Sequence, residues 1–366
     1  MSAIKEKIQR IFQSHTSSVD LAPEKQTILI TGASGFIAAH VVGVFLEAGY
    51  NVRGTVRSEE IAEKVRKTHA KYLDRLSFAI VPDVAADKAF DDAVRDVDGV
   101  IHTASPFYMS GIKNNETELL DPAIKGTRNI VEAVDKYAPK VKRVVITSSF
   151  ASIVDLPAGT RPGHTYSEAD WNPVTYAEAA DPSALGPVAY CASKVFAERA
   201  AWEYIHANKP HFTISTICPP LVYGPLEHNV TGLSKLNTSS ADLYRLINGS
   251  EKEVPATNFW AFVDVRDVAT AHLKAYEVPK AANERFFITA GNFSYQQICD
   301  IVRREFPDLK DKVPEGNVAS GLGQDVYKVD NGKSKTILGI EYRDLETCVN
   351  DTVKSLLEVE KAQGNT

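Results

Sequence analysis

Several things are scarce in this sequence, and each scarcity excludes a class. No apolar run in its 366 residues approaches the roughly 18 to 20 that cross a bilayer, so no membrane partner is expected. No block of basic residues stands out. Forty-one Lys and Arg against 47 Asp and Glu leave a net charge of −6, whereas a nucleic-acid footprint needs clustered cations. Cysteine is sparse: Cys191, Cys218, Cys299 and Cys348 are far apart and form no metal-ligand pair, so they read as reduced thiols of a cytoplasmic protein without a metal. There is no internal repeat. The opening MSAIKEKIQRIFQSH has charges where a secretory signal needs an apolar core, so no such signal is expected. Ile4, Ile8, Ile11 and Phe12 sit at helical spacing. Residues 1–25 therefore read as an appendage, either a short amphipathic helix docked on the body or a frayed extension.

What is present is an ordinary globular balance, 44% hydrophobic and 24% charged. At about 150 residues per domain the length suggests two lobes or one large α/β domain with an appendage. The chain alternates short β-branched runs with helical patterns. QTILITG (26–32), NVRGTVR (51–57), LSFAIVPD, DGVIHTASP (98–106) and KRVVITSS (142–149) read as strands, separated by helices that include one at 118–137. Such alternation implies βαβ units and a parallel sheet with helices on both faces. Residues 155–187, rich in Pro, Gly, Asp and Ser, read as an ordered surface excursion. A helix over about 187–207 and a strand at 212–219 follow. Residues 223–262 are irregular. Beyond them come a helix at 266–277, a strand at 284–290, and helices at 294–306 and near 345–360. The expected fold is a Rossmann-type doubly wound α/β sheet at 26–222. A smaller, interleaved C-terminal lobe is expected at 223–259 and 293–366, with about 260–292 returning to the sheet.

The first strand runs into Gly32-Ala33-Ser34-Gly35-Phe36-Ile37-Ala38, with glycine or alanine at every third position. A tight strand-to-helix turn needs glycine's backbone freedom, and a pyrophosphate needs close approach to bare backbone and the free N–H groups of a helix start. At the end of the second strand, where an NAD site usually carries an acid, stands Arg57. A guanidinium there clamps the extra phosphate of NADP, unless it is merely solvated. Asp83 either accepts from the adenine amino group or caps the next segment. The small residues Thr103, Ala104 and Ser105 end the fourth strand and leave room for a cofactor.

Tyr190 and Lys194 lie four apart at the start of the long helix, on one face. A phenol titrates near 10, and a neighbouring ammonium favours its phenolate and lets it exchange protons near neutrality. A third donor should hold a substrate carbonyl. Ser149 at the end of the fifth strand suits that role, with Thr147 and Ser148 as rivals. Phe107, Phe150, Pro220, Tyr223, and Phe259 or Trp260 are available to line an apolar pocket.

TGASGFIA, HTASPF, TSSFAS, YCASK, PPLVYGP and FVDVRDVA, in this order, resemble the extended short-chain dehydrogenase/reductase superfamily. Within it the chain is most similar to fungal NADPH-dependent methylglyoxal and aldehyde reductases and to dihydroflavonol reductases. The resemblance implies Ser149, Tyr190 and Lys194 as catalytic triad. It implies cofactor contacts from residues 32–37, Arg57, Asp83, Val84, Tyr190, Lys194, Val222 and Ser239, and a nicotinamide-side contact at Pro219. Ile61 stands where such relatives often carry a second cation, and Lys64 is one turn later. The expected activity is NADPH-dependent reduction of a ketone or aldehyde, in a monomer or homodimer whose partner is a small carbonyl substrate. Two alternatives stand beside it. One is a nucleotide-sugar epimerase or dehydratase, which needs cations in 223–262, where only Lys235, Arg245 and Lys252 occur. The other is a dinucleotide sensor without turnover, which needs neither Tyr190 nor Lys194.

Overall fold

In the computed structural model, residues 22–105, 112–184, 186–228, 230 and 232–364 are described. The helix considered at residues 4–12 and the pocket residue Phe107 lie outside them.

The near-continuous apolar strands read from the sequence build one seven-stranded parallel sheet: β1 (Thr27–Thr31), β2 (Asn51–Val56), β3 (Leu76–Ile80), β4 (Gly99–His102), β5 (Arg143–Thr147), β7 (Thr213–Cys218) and β10 (Glu284–Phe287). Their spatial order is β10-β7-β5-β4-β1-β2-β3. The order reverses between β1 and β4, and ligands of open α/β sheets bind outside the strand ends at such a reversal. Helices cover both faces, so the central strands are buried on each side and only edge strand β3 has exposed residues. One face carries α1 (Phe36–Glu47), α2 (Glu59–Thr68) and α7 (Val265–Glu277); the other carries α3 (Asp121–Tyr137) and α5 (Gly186–Asn208). Where α7 crosses β4, Gly99 admits the Tyr276 ring, whose hydroxyl donates to Gln26 Oε1 at 2.7 Å.

A third apolar cluster lies apart from the sheet. It joins α6 (Thr238–Ile247), α8 (Tyr295–Glu305) and α9 (Leu345–Gly364) with Tyr223 and Phe262. Here the structure corrects the sequence reading: the stretch 223–262, expected to be irregular, contains the ten-residue helix α6. Leu243, Leu246 and Ile247 give it a buried side, but Thr238, Ser239 and Ser240 open it with poor helix formers that mask the pattern. Two small parallel pairs complete the fold. β8 (Leu221–Tyr223) pairs with β9 (Phe262–Asp264), and β6 (Thr165–Tyr166) pairs with β11 (Lys328–Val329). The excursion at 155–187 also holds the five-residue helix α4 (Tyr176–Ala180), started by a Thr175/Glu178 capping box.

Candidate active site

At the end of β1 the backbone turns through Gly32, whose φ of +67° favours glycine. A Cβ there would lie 3.1 Å from the Ala104 Cα, so β4 and the turn are in close contact. Thr55 of β2 fixes the turn from below. Its Oγ1 accepts from the Gly32 N–H (3.0 Å), and its carbonyl accepts from the Ala33 N–H (2.9 Å). Gly35 is the residue before α1, and no side chain caps that helix, so its first N–H groups face outward beside Ser34. This cradle of bare backbone at a helix start fits a pyrophosphate. Phe36 and Ile37 begin α1, with Phe36 packed into the core.

The neighbouring strand ends are tied to the turn. The Thr31 Oγ1 accepts from the backbone N–H groups of Thr103 and Ala104, each at 3.1 Å, and lies 2.9 Å from His102 Nδ1. The Thr103 hydroxyl donates to the Thr31 carbonyl. Thr31, Thr55 and His102 were not singled out in the sequence; only their places at strand ends mark them.

Arg57 follows β2 and is exposed, with no hydrogen bond or ion pair among the described residues. The acids after it are engaged elsewhere: Glu59 with Arg66 (2.7 Å) and Glu60 with Lys64 (2.9 Å). Lys64 lines a small pocket with Ala33, Ser34 and Ile61. Arg57 at the end of β2 and Lys64 beside the turn are the cations these elements offer to an NADP phosphate, Lys64 while paired with Glu60. Asp83 is exposed, and its Oδ1 accepts from the Ala85 N–H at 2.9 Å, the local cap foreseen as one of its two roles. The Val84 side chain packs near Gly126, and its carbonyl accepts from Asn129 at 2.9 Å.

The three polar groups expected to do chemistry come together one strand from the reversal, where the ends of β4 and β5 meet α5. Ser149 ends the β5 segment in extended conformation and starts a short 3-10 turn, its Oγ accepting from the Ala151 N–H at 3.1 Å. Its hydroxyl is close enough to the Tyr190 phenol to favour the ionised form of that phenol. The rivals are engaged elsewhere: Thr147 Oγ1 lies 2.7 Å from His272 Nε2, and Ser148 donates to Glu198 at 2.5 Å. The Lys194 Nζ donates to Ser105 Oγ at 2.6 Å and stands 5.7 Å from the centre of the Tyr190 ring. Burial lowers the Lys194 ammonium to about 8, which leaves it mostly charged at neutral pH. Burial, and then the neighbouring Cys191, push the Tyr190 phenol up, while the Ser149 hydroxyl pulls it back. The expected lowering by Lys194 is not what dominates. Desolvation does, and it keeps the phenol protonated, the state a proton donor needs.

On the substrate side the structure revises the sequence reading. Phe150 is fully buried, stacked on Phe287 at 4.7 Å and edge-on to Tyr166 and Phe259. Tyr223 is equally buried and donates to Asp242 at 2.8 Å. Both are core and do not wall an open pocket, because aromatic rings gain most from full burial. Pro219 and Pro220 are also buried. Ser239, in the first turn of α6, donates to the Val222 carbonyl at 2.6 Å and so anchors α6 to β8. Among the described residues no helix is long and apolar enough to cross a membrane, and no group of three or more His, Cys, Asp or Glu could hold a metal ion.

Known proteins share this fold. The ketoreductase azaE of Aspergillus niger is 42% identical over 339 residues, 90% of this chain and 97% of its own. The NADPH-dependent methylglyoxal reductase GRE2 of Saccharomyces cerevisiae is 35% identical, with 91% and 99% of the two chains covered. The crystal structure of yeast methylglyoxal/isovaleraldehyde reductase Gre2 complexed with NADPH superimposes with a TM-score of 0.84 at 34% identity, over 92% of this chain and 99% of that one. Residues 28–289 match the NAD dependent epimerase/dehydratase family. With its doubly wound sheet, glycine turn and Tyr–Lys helix, the chain belongs to that family.

Proposed function

We propose that the protein is an NADPH-dependent carbonyl reductase that converts a ketone or aldehyde to an alcohol. The observation that carries this is the gathering of Ser149, Tyr190 and Lys194 one strand from the sheet's reversal, with the Lys194 Nζ 5.7 Å from the centre of the Tyr190 ring and 2.6 Å from Ser105 Oγ. NADPH supplies the hydride when bound. Gly32 to Ile37 hold its pyrophosphate, Arg57 and Lys64 its extra phosphate, and Thr103, Ala104, Ser105, Pro219 and Val222 border its path toward Tyr190. Asp83 and Val84 border the adenine, and Ser239 keeps Val222 in place. Ser149 orients the substrate oxygen. Tyr190 gives that oxygen a proton from its phenol, and Lys194 stabilises the phenolate left behind.

In this reading residues 26–222 serve the cofactor, with about 260–292 returning to them, and 223–259 with 293–366 shape the substrate site. The cations of 223–262 support an uncharged substrate over a nucleotide sugar. Arg245 is already paired with Asp242 (2.9 Å) and Glu251 (2.6 Å), and Lys252 donates to the Gly249 carbonyl at 3.0 Å, which leaves the exposed Lys235 as the one cation among the described residues of this stretch available to a diphosphate. The four cysteines are free and buried, as suits a cytoplasmic enzyme.

The test is Tyr190→Phe, assayed by NADPH consumption over a panel of ketones, aldehydes and nucleotide sugars. Turnover should fall by about 10²–10⁴-fold while NADPH binding stays nearly intact. Retention of more than about a tenth of wild-type turnover would place the proton donor elsewhere.

A further inference from the structure

Beneath Ser149 lies a buried ionic network that the reaction itself does not use. Glu198 of α5 is four residues beyond Lys194 and eight beyond Tyr190, on the same helix face. Its carboxylate is buried and accepts from six side chains, the Trp202 Nε1 (3.3 Å) and the Cys218 thiol (3.8 Å) being the longer contacts. Ser148 Oγ (2.5 Å) and Ser152 Oγ (2.7 Å) come from either side of Ser149, Thr216 Oγ1 (2.8 Å) from β7, and Arg285 Nε (2.7 Å) from β10. Arg285 spends the rest of its donors around the same point. Its Nη2 lies 2.8 Å from Ser152 Oγ and 3.2 Å from Glu198 Oε2, and its Nη1 donates to the carbonyls of Glu168 (2.8 Å) and Asp170. The Trp171 ring covers the guanidinium, with its centre 3.8 Å away. Ser152 also holds the Ser149 carbonyl through its N–H, at 2.9 Å.

We propose that the Glu198–Arg285 pair is a positioning device that holds the Ser149 hydroxyl in register with the Tyr190 phenol. The inference rests on the carbonyl-reductase reading above. What the pair touches is the pair of hydroxyls flanking Ser149, and it ties them to the helix that carries the proton donor. Stability alone is a poor reason for such a pair, since apolar residues of similar volume often serve the core as well or better. Directional bonds to Ser148 and Ser152 are what apolar side chains lack. The leverage is large, because a displacement of about 1 Å at a reacting group costs on the order of 10²-fold in rate. Burial pushes the Glu198 carboxyl up, but Arg285 and the two serines outweigh this and hold it below its usual value, so the acceptor stays ionised at neutral pH.

The experiment is a double-mutant cycle. Glu198→Gln and Ser152→Ala are each made in the wild type and in Ser149→Ala, with kcat, KM for NADPH and melting temperature measured for all. In the wild-type background Glu198→Gln should lower kcat about tenfold or more, with KM for NADPH changed less than about threefold; in Ser149→Ala the same change should cost less than about threefold, because residues acting as a unit are non-additive. Ser152→Ala, which keeps the ion pair, should follow the same pattern and carries the cycle if Glu198→Gln does not fold. Equal fold-losses in both backgrounds, or an unchanged kcat in the wild-type background, would overturn the positioning role. If Ser149→Ala alone keeps full activity, the role of Ser149 in the proposed reaction falls, and this inference with it.

Discussion

Arg57→Ala separates a phosphate clamp from a structural cation. In the fold Arg57 is exposed and unbonded among the described residues, and the acids beside it belong to Arg66 and Lys64. Its removal should therefore leave stability within about 0.5 kcal/mol, as for surface positions without special contacts. A hydrogen bond to a charged group contributes about 1.5–3 kcal/mol, and exposure places this one at the lower end. Since about 1.4 kcal/mol is tenfold, KM for NADPH should rise roughly 10- to 30-fold. NADH has no phosphate at that position, and its KM should move less than about twofold. Salt gives an independent handle: KM for NADPH should climb with ionic strength in the wild type and much less in the variant, because exposed charges are screened. Steady-state kinetics with both cofactors at two salt concentrations read all of this. Equal losses for NADPH and NADH would make Arg57 structural, and a wild-type preference for NADH would refute the cofactor assignment outright.

Three further outcomes follow from other parts of the molecule. Gly54→Ala puts a Cβ 2.8 Å from the Ala33 Cβ and 3.1 Å from the Phe78 ring, so the phosphate turn must shift. KM should rise for NADPH and NADH alike with a loss of about 1–3 kcal/mol in stability, and unaltered kinetics would show that the turn tolerates displacement. His40, His69, His102 and His272 are buried, and desolvation lowers them to about 4, 4, 3 and 4. They stay neutral in the fold while the unfolded chain takes up protons near 6.5, so their contribution to stability should be flat above that pH and fall below it, by up to about 1.4 kcal/mol per pH unit for each group. A melting temperature unchanged from pH 7.5 to 5 would contradict this. Exchanging residues 226–258 for the matching stretch of a relative with different preferences should carry substrate preference with the graft and leave NADPH affinity alone; preference that stays with the host would place the pocket elsewhere.

The parts of the fold that were legible in the sequence are those where local pattern and global role coincide. The glycine turn reads clearly because Gly32 needs its positive φ and the strand before it is uniformly apolar. The Tyr190–Lys194 spacing reads because a helix turns rigidly. The α6 helix was hidden behind its run of Thr and Ser, residues that compete for their own backbone. Phe150 and Tyr223 illustrate a different limit: an aromatic beside a catalytic motif looks the same in sequence whether it faces substrate or core, and only the partners Phe287 and Asp242, 137 and 19 residues away along the chain, decide it. The Glu198–Arg285 network was invisible for the same reason, since its members lie 87 residues apart.

The row Tyr190, Lys194, Glu198 also bears on how the chain can vary in length. At 1.5 Å per residue the three positions span about 12 Å of α5 axis, from proton donor to buried carboxylate. Side chains at 188, 196 and 199 lie off that row. A single insertion or deletion between 190 and 198 turns one end of the row by about 100° relative to the other. It would swing Glu198 away from Ser148 and Ser152, or Tyr190 away from Ser149, and no side-chain adjustment restores both. The helix therefore acts as a ruler, intolerant of any change in count between Tyr190 and Glu198.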